Sequence, residues 1–305
     1  MGMTPDERPG LRPADVVLMS GATLACAVLV LSGRWVPGWE RSALTFACLA
    51  TALPLIRWLA GRFPSARAFD AAASLWLCVA APLGHASLGP VVDAVSPRLR
   101  DRELALLDLR VFHLHPSVWA GQLPGWAMDA MLSCYYSYFL WPALLALVLY
   151  LRRDRVVFER YALALALCFT INFVLYALVP AVGPRFYLAS LFDQPLPGAH
   201  VTPYLESLMR QPAFLRDCFP SGHTAGTVLV LCYARRHARR VFWPMLPVAA
   251  GLIGATVAGR FHYGVDLLCA LPLVGLSAAI AAAVVRPTRA PAHDRRPLPE
   301  WRWTT

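Results

Sequence analysis

The chain has 305 residues, 58% of them hydrophobic and only 15% charged, with a mean hydropathy of +0.51. That excludes an ordinary soluble domain, whose surface needs about 25% charged residues, and points to an all-α, polytopic integral membrane bundle. The net charge is +10 and every basic residue apart from histidine is arginine. These arginines gather in short loops between apolar blocks, which argues for membrane topology and against a nucleic-acid partner.

In chain order, residues 1–14 are polar, and the first apolar block runs from Val16 to Ser32. It continues past any small-residue cleavage site, so a retained helix is expected rather than a signal peptide. Further blocks fall near 42–60, 69–92, 126–151, 158–180, 222–236, 241–259 and 265–285, predicting about eight transmembrane helices, with six to eight possible. "LRRDR" with Arg160 follows the fourth block, "ARRHARR" the sixth, and the tail from Arg286 is arginine-rich. The positive-inside rule places these segments in the cytoplasm, with both termini and the loop of Arg62 and Arg67. Residues 93–125 then fall outside, where "LALLDLRVFHLHPSVW" is expected to lie along the membrane as an amphipathic helix. Residues 287–305 are predicted to be a disordered tail. The organisation expected is membrane helices and an interfacial segment over 1–125, a catalytic membrane domain over 126–286, and the tail.

Eight cysteines show no metal-ligand spacing. Six lie inside apolar blocks and read as packing residues. Cys134 and Cys218 lie nearer block ends, and a disulfide between them is left open.

Three breaks in the apolar pattern fall on the outer face in this topology: "VPAVGPRFY" (179–187), "CFPSGHTAG" (218–226) and "AGRFHYGVDLL" (258–268). In the third, His262 and Asp266 are four apart and would share a face of a helix. A carboxylate on Nδ1–H fixes the imidazole tautomer and leaves Nε2 as nucleophile or base. In the second, Ser221 is a plausible N-cap for a helix that opens with His223, and a helix N-terminus favours an anion. In the first, Arg185 offers a planar fork suited to phosphate oxygens. Together the clusters hold what phosphate chemistry asks for: a nucleophile, an acid and positive charge.

"PSGHTAG", followed by "HYGVD" with His262 placed 39 residues after His223, resembles the second and third signature motifs of the type-2 phosphatidic acid phosphatase superfamily, and "GPR" matches its first. "CFPSGHT" and "YALVPAVGPRFY" resemble the branch of inositol phosphorylceramide synthases, the inositolphosphotransferase-like proteins. The motifs cover residues 176–270. The resemblance implies that His262 attacks phosphorus to form a phosphohistidine, that Asp266 orients it, and that His223 protonates the leaving oxygen and later activates the acceptor. Arg185, Arg260, Ser221 and the Gly222 amide would hold the phosphoryl oxygens. It implies no metal and no cofactor, a lipid phosphate as substrate, membrane lipids as surroundings and an alcohol as a possible acceptor. Two positions depart from the family pattern. Leu178 stands where the first motif carries a lysine, and Thr256 where the third carries an arginine, which Arg260 would have to replace. Hydrolysis by a lipid phosphate phosphatase and transfer to an alcohol both remain open. The rival from another class is a transporter or channel lined by polar residues such as His85 and Asn172. A bacterial inner or plasma membrane with an exoplasmic active site is expected.

Overall fold

The computed structural model describes residues 10–60, 62, 66–209 and 216–286. The predicted disordered tail and most of the polar N-terminal stretch lie outside these. Fifteen α-helices follow one another among the described residues: α1 Pro13–Ser32, α2 Trp39–Ala60, α3 Ala66–Leu75, α4 Leu77–Ala86, α5 Gly89–Val95, α6 Asp101–Phe112, α7 Pro116–Trp119, α8 Gly125–Tyr136, α9 Leu140–Leu151, α10 Arg155–Leu178, α11 Pro184–Tyr187, α12 Val201–Met209, α13 Gly222–His237, α14 Arg239–Ala258 and α15 Gly264–Val284. No strand occurs among them. A single parallel bridge joins Ala181 to Asp217.

The expected all-α membrane architecture is what the structure shows, with five to seven candidate spans, fewer than the eight favoured but reaching into the range of six to eight. Five helices are long and apolar enough to cross a bilayer: α1, α2, α10, α14 and α15. Counting each bent pair, α4–α5 and α8–α9, as one span raises this to seven. The sixth block forms α13, only 16 residues long, or about 24 Å at the helical rise, short of the ~30 Å hydrocarbon thickness. The two breaks have sequence causes. Pro90, just inside α5, cannot continue the α4 ladder, and α5 leaves at 56°. Pro142 in α9 opposes the carbonyl of Tyr138, and α8 and α9 meet at 45°.

The core surrounds α10. More than half of its apolar window is buried, against a third or less for the other four long helices. Asp154 caps it, accepting from Val157 N at 3.2 Å. Leu163, Ala164, Leu165 and Ala166 are buried in succession, so α10 is enclosed on all sides around this turn.

The segment expected on the membrane surface is α6 and α7, joined through His113 at φ 59°. Its buried face carries two carboxylates, Asp101 and Asp108, beside Leu104 and Ala105, while Leu106, Leu107, Leu109 and Val111 are exposed. The acids are buried because they cap other elements. Asp108 accepts from Gly264 N and Val265 N at 3.0 and 2.9 Å, at the start of α15. Asp101 accepts from Val182 N and Gly183 N at 3.0 and 2.9 Å, in the loop before α11.

At the arginine-rich end, a buried ion network ties α1, α2 and α3. Arg57 donates to Asp15 at 3.0 Å and to Asp70 at 3.0 Å, and Arg12 donates to Asp70 at 2.8 Å. The side chains of Arg57 and Asp15 are 4% and 5% exposed. Removing one partner of a buried pair leaves an uncompensated charge and costs about 3–5 kcal/mol, whereas replacing both can be close to neutral. We therefore expect Asp15→Leu and Arg57→Leu each to lower thermal stability in detergent more than the double variant does. Additive losses in that double-mutant cycle would show that the pair does not act as a unit.

Candidate active site

The three polar clusters predicted to share a face converge in space. Arg185 N donates to Arg260 O at 2.8 Å, joining the first cluster to the third. His262 Nδ1 lies 2.7 Å from Cys218 O, joining the third to the second. Ser221 N donates to Asp266 O at 3.2 Å.

His262 and Asp266 meet, but not on one helical face as their spacing suggested. α15 begins between them, at Gly264, with Tyr263 as its N-cap. Asp266, at the third helical position, reaches back and accepts from Tyr263 N at 2.9 Å, one half of a capping box. The same oxygen, Oδ2, lies 3.3 Å from His262 Nδ1 and accepts the Cys218 thiol at 3.0 Å. Asp266 is fully buried and His262 is 3% exposed. A backbone carbonyl can only accept, so the 2.7 Å contact with Cys218 O assigns the proton to Nδ1. The Nε2 lone pair of the neutral imidazole is thereby left for chemistry.

His223 occupies the first turn of α13, and Ser221 is the N-cap expected, its Oγ accepting from Thr224 N at 3.2 Å. The imidazole is held between two tyrosines of α8 and the α8–α9 break. Tyr135 stacks on it at 4.4 Å between centroids and Tyr138 lies at 4.5 Å. The His223 and His262 rings are 6.1 Å apart. The turn before α13 is anchored by Asn172, which donates to Pro220 O at 3.0 Å, and by Tyr138, which donates to Gly222 O at 3.1 Å. A Cβ on Gly222 would sit 2.6 Å from Asn172 Oδ1 and 2.7 Å from the Tyr176 hydroxyl, so this residue has to be glycine. Gly183 of the first motif is required too: its φ is +83° and a Cβ would meet Phe261 O at 2.5 Å.

Of the two arginines, Arg185 is linked to His223 through stacked rings. Its guanidinium is 5.8 Å from the Phe261 ring, which stacks on Tyr135 at 4.7 Å. Nη2 donates to Glu206 at 2.9 Å, while Nη1 is buried without a hydrogen bond. Arg260, at φ +65°, turns elsewhere: its guanidinium lies 4.0 Å over Phe192 and donates to Gln194 O at 2.9 Å. At the two departures from the family pattern, Leu178 is exposed and Thr256 is fully buried.

Beside this centre stands a second histidine–aspartate pair. His85 Nε2 lies 2.8 Å from Asp217 Oδ2, and Asp217 immediately precedes Cys218. Desolvation works to raise the Asp217 carboxyl, but the hydrogen bond from His85 is foremost in holding it below its ordinary value. The polar residues that suggested a transport pathway, His85 and Asn172, are thus engaged in building this site. Cys134 and Cys218 are both free. Cys218 Sγ, His262 Nδ1 and Asp266 Oδ2 lie within 4.8 Å of one another, a set able to ligate a metal ion, and here they are joined by the hydrogen bonds described. The roles of Tyr135, Tyr138, Cys218, Asp101 and Asp108 were not read from the sequence. Cys218 stood within "CFPSGHTAG", and the aromatic run "CYYSYF" at 134–139 is a signal that could have pointed to the two tyrosines.

The profile of the PAP2 superfamily matches residues 103–280, more than half of the chain. The chain belongs to the PAP2 superfamily. No curated protein and no solved structure matches it. PAP2 proteins are generally phosphatases and phosphotransferases, and the match takes in all three polar clusters and α6 from Glu103 onward.

The fit around Gly222 gives a test of the site's construction. Gly222→Ala should lower thermal stability by about 1–3 kcal/mol through overpacking. Gly275→Ala, where a Cβ meets nothing within 4 Å, should be neutral or better, since alanine is favoured over glycine inside a helix by up to ~1 kcal/mol. Equal tolerance at both positions would contradict the close packing of Asn172 and Tyr176 on the turn.

Proposed function

We propose that this PAP2 protein is a metal-independent lipid phosphoryl-transfer enzyme that works through a phosphohistidine on His262. The observation that carries the reading is the pairing of two imidazoles 6.1 Å apart, one with Nδ1 engaged by Cys218 O and Asp266 and the other set in the first turn of a helix. Nε2 of His262 attacks phosphorus, forming a P–N bond as the bond to the leaving oxygen breaks. His223 gives that oxygen its proton. In the second half-reaction His223 takes a proton from water or an alcohol, whose oxygen attacks phosphorus and releases His262. Asp266 holds the tautomer and balances the imidazolium-like phosphohistidine. The phosphoryl oxygens are received by the N–H groups that open α13, with Ser221 and Gly222, and by Arg185, which exchanges Glu206 for phosphate. Arg260 joins this cradle on releasing Gln194. The branch resemblance of the motifs favours an alcohol acceptor, as in an inositolphosphotransferase. Residues 126–286 form the catalytic membrane domain in this reading, preceded by the helices of 1–125, with the site on the exoplasmic face.

Purified protein should release phosphate from a lipid phosphate, or transfer it to an added alcohol, and should form an acid-labile, base-stable phosphoenzyme. His262→Ala should remove the phosphoenzyme, and Asp266→Asn should slow its formation by orders of magnitude, the loss being about 10⁴-fold for the equivalent change in a serine protease triad. Near-native turnover by His262→Ala would overturn the scheme, and loss in chelator that a divalent ion restores would overturn metal independence.

The acid role of His223 has its own signature. A poor leaving group needs its proton in the transition state and a good one does not. His223→Ala should therefore slow single-turnover phosphorylation from an alkyl phosphate strongly, and from an activated aryl phosphate weakly. Equal loss for both esters would assign His223 to positioning instead.

A further inference from the structure

Between α1, α2, α4, α5 and α10 lies a cavity of about 240 Å³. Small residues keep it open where helices would otherwise close: Ala22 and Ala25 of α1, Ala80 and Gly84 of α4, with Phe46 and Phe173 among its larger walls. Its lining is almost wholly apolar, so water would find few partners there, while an empty apolar space forfeits packing. The cavity has an open side. Leu24 of α1 and Val174 and Leu178 of α10 line it and are also exposed on the outer surface of helices that span the bilayer. What enters from that side is hydrocarbon.

A chain of contacts links the cavity wall to the candidate site. Gly84 and Phe173 belong to its wall, and the next residue, His85, packs its ring 6.1 Å from that of Phe173. His85 in turn holds Asp217, whose neighbour Cys218 supplies the carbonyl on His262. An apolar slot open to the bilayer, with the polar His85–Asp217 pair next to its wall and linked to the phosphorylated histidine of the proposed mechanism, matches the layout of a lipid phosphate, tail to headgroup.

We propose that this cavity seats a hydrocarbon tail of the substrate lipid, with the His85–Asp217 pair marking the boundary between tail and headgroup. The proposal rests on the phosphoryl-transfer reading above and adds to it the substrate feature selected. α1, α2, α4 and α5 precede the segment matched to the family, so tail selection would be this chain's own addition to the shared chemistry.

The test compares purified wild type with Ala25→Trp, which fills the cavity from α1, on two substrates with one headgroup: a dipalmitoyl lipid phosphate in mixed micelles and its water-soluble dibutyryl analogue. Wild type should favour the long-chain substrate. Ala25→Trp should lose about tenfold or more in kcat/KM for the long-chain substrate, a penalty of the size expected for a pocket that no longer accepts its apolar group, and should keep its rate on the short one. Equal losses on both, or an unchanged preference, would overturn the proposal. If Ala25→Trp does not fold, a lipid phosphate with a photoreactive tail end decides instead: labels on Ala25, Phe173 and their neighbours support the site, and labels confined to other surfaces overturn it. Wild type inactive on both substrates would refute the phosphoryl-transfer reading itself, while photolabelling would still judge whether the cavity takes a lipid tail.

Discussion

Asp266 Oδ2 collects donors from the Tyr263 backbone, the Cys218 thiol and the His262 ring, so one buried oxygen joins the start of α15 to the segment before α13. A charge so enclosed is tolerated only where donors and dipoles surround it, and the N-terminus of α15 provides both. Asp108, reaching in from α6, occupies the remaining amides of that terminus at Gly264 and Val265. Asp101 accepts the Tyr263 hydroxyl at 2.9 Å and also the amides before α11. The position of His262 therefore follows from where α15 starts, and where α15 starts is held by carboxylates from a helix more than 150 residues earlier in the chain.

The fold was legible in the sequence wherever a single property decided it. Apolar blocks of bilayer length became helices, and the arginine loops marked one end of the bundle, where Arg12, Arg57 and Arg155 meet Asp15, Asp70 and Glu159. Hydropathy is blind to backbone direction, so the bends at Pro90 and Pro142 were hidden inside blocks that read as continuous. α13 looked like a span because its apolar residues continue into basic ones, yet its face toward the core is built of Gly222, Thr224, Ala225, Gly226 and Thr227. These suit close packing against neighbouring helices more than exposure to lipid.

The site was legible as chemistry and obscure as geometry. His223, His262, Asp266, Ser221 and Arg185 stood out because polar and titratable groups gather at three apolar block ends, in the residue types that phosphate chemistry asks for. Periodicity placed His262 and Asp266 on a helical face, whereas Gly264 starts the helix between them and a cap contact joins them. Tyr135 and Tyr138 come from a helix far away in the chain, so no spacing could tie them to His223. Cys218 read only as possible half of a disulfide because its contribution is a carbonyl and a thiol proton, neither of which has a sequence signature. Asp101 and Asp108 drew no reading of their own, since a carboxylate that caps a distant helix looks like any other carboxylate in sequence.

The two departures from the family pattern have different physical consequences. Thr256 is fully buried near the end of α14, and its carbonyl accepts the amides of Phe261 and His262 at 3.0 and 2.9 Å. Its hydroxyl donates to Ile253 O at 2.6 Å. The backbone here shapes the turn that presents His262, and a guanidinium would need hydrogen-bonding partners that this closed position is not seen to supply. Leu178 ends α10 with its side chain both exposed and lining the apolar cavity. A lysine there would set a charge beside a space otherwise walled by hydrocarbon, while leucine continues that wall toward the His85–Asp217 pair. In the proposed function, positive charge for phosphate would come from Arg185, Arg260 and the N–H groups of α13, and the leucine surface would belong to the apolar approach of the lipid. The leucine at 178 and the apolar cavity would then express one trade, in which contact with the phosphate at this position is exchanged for contact with the tail.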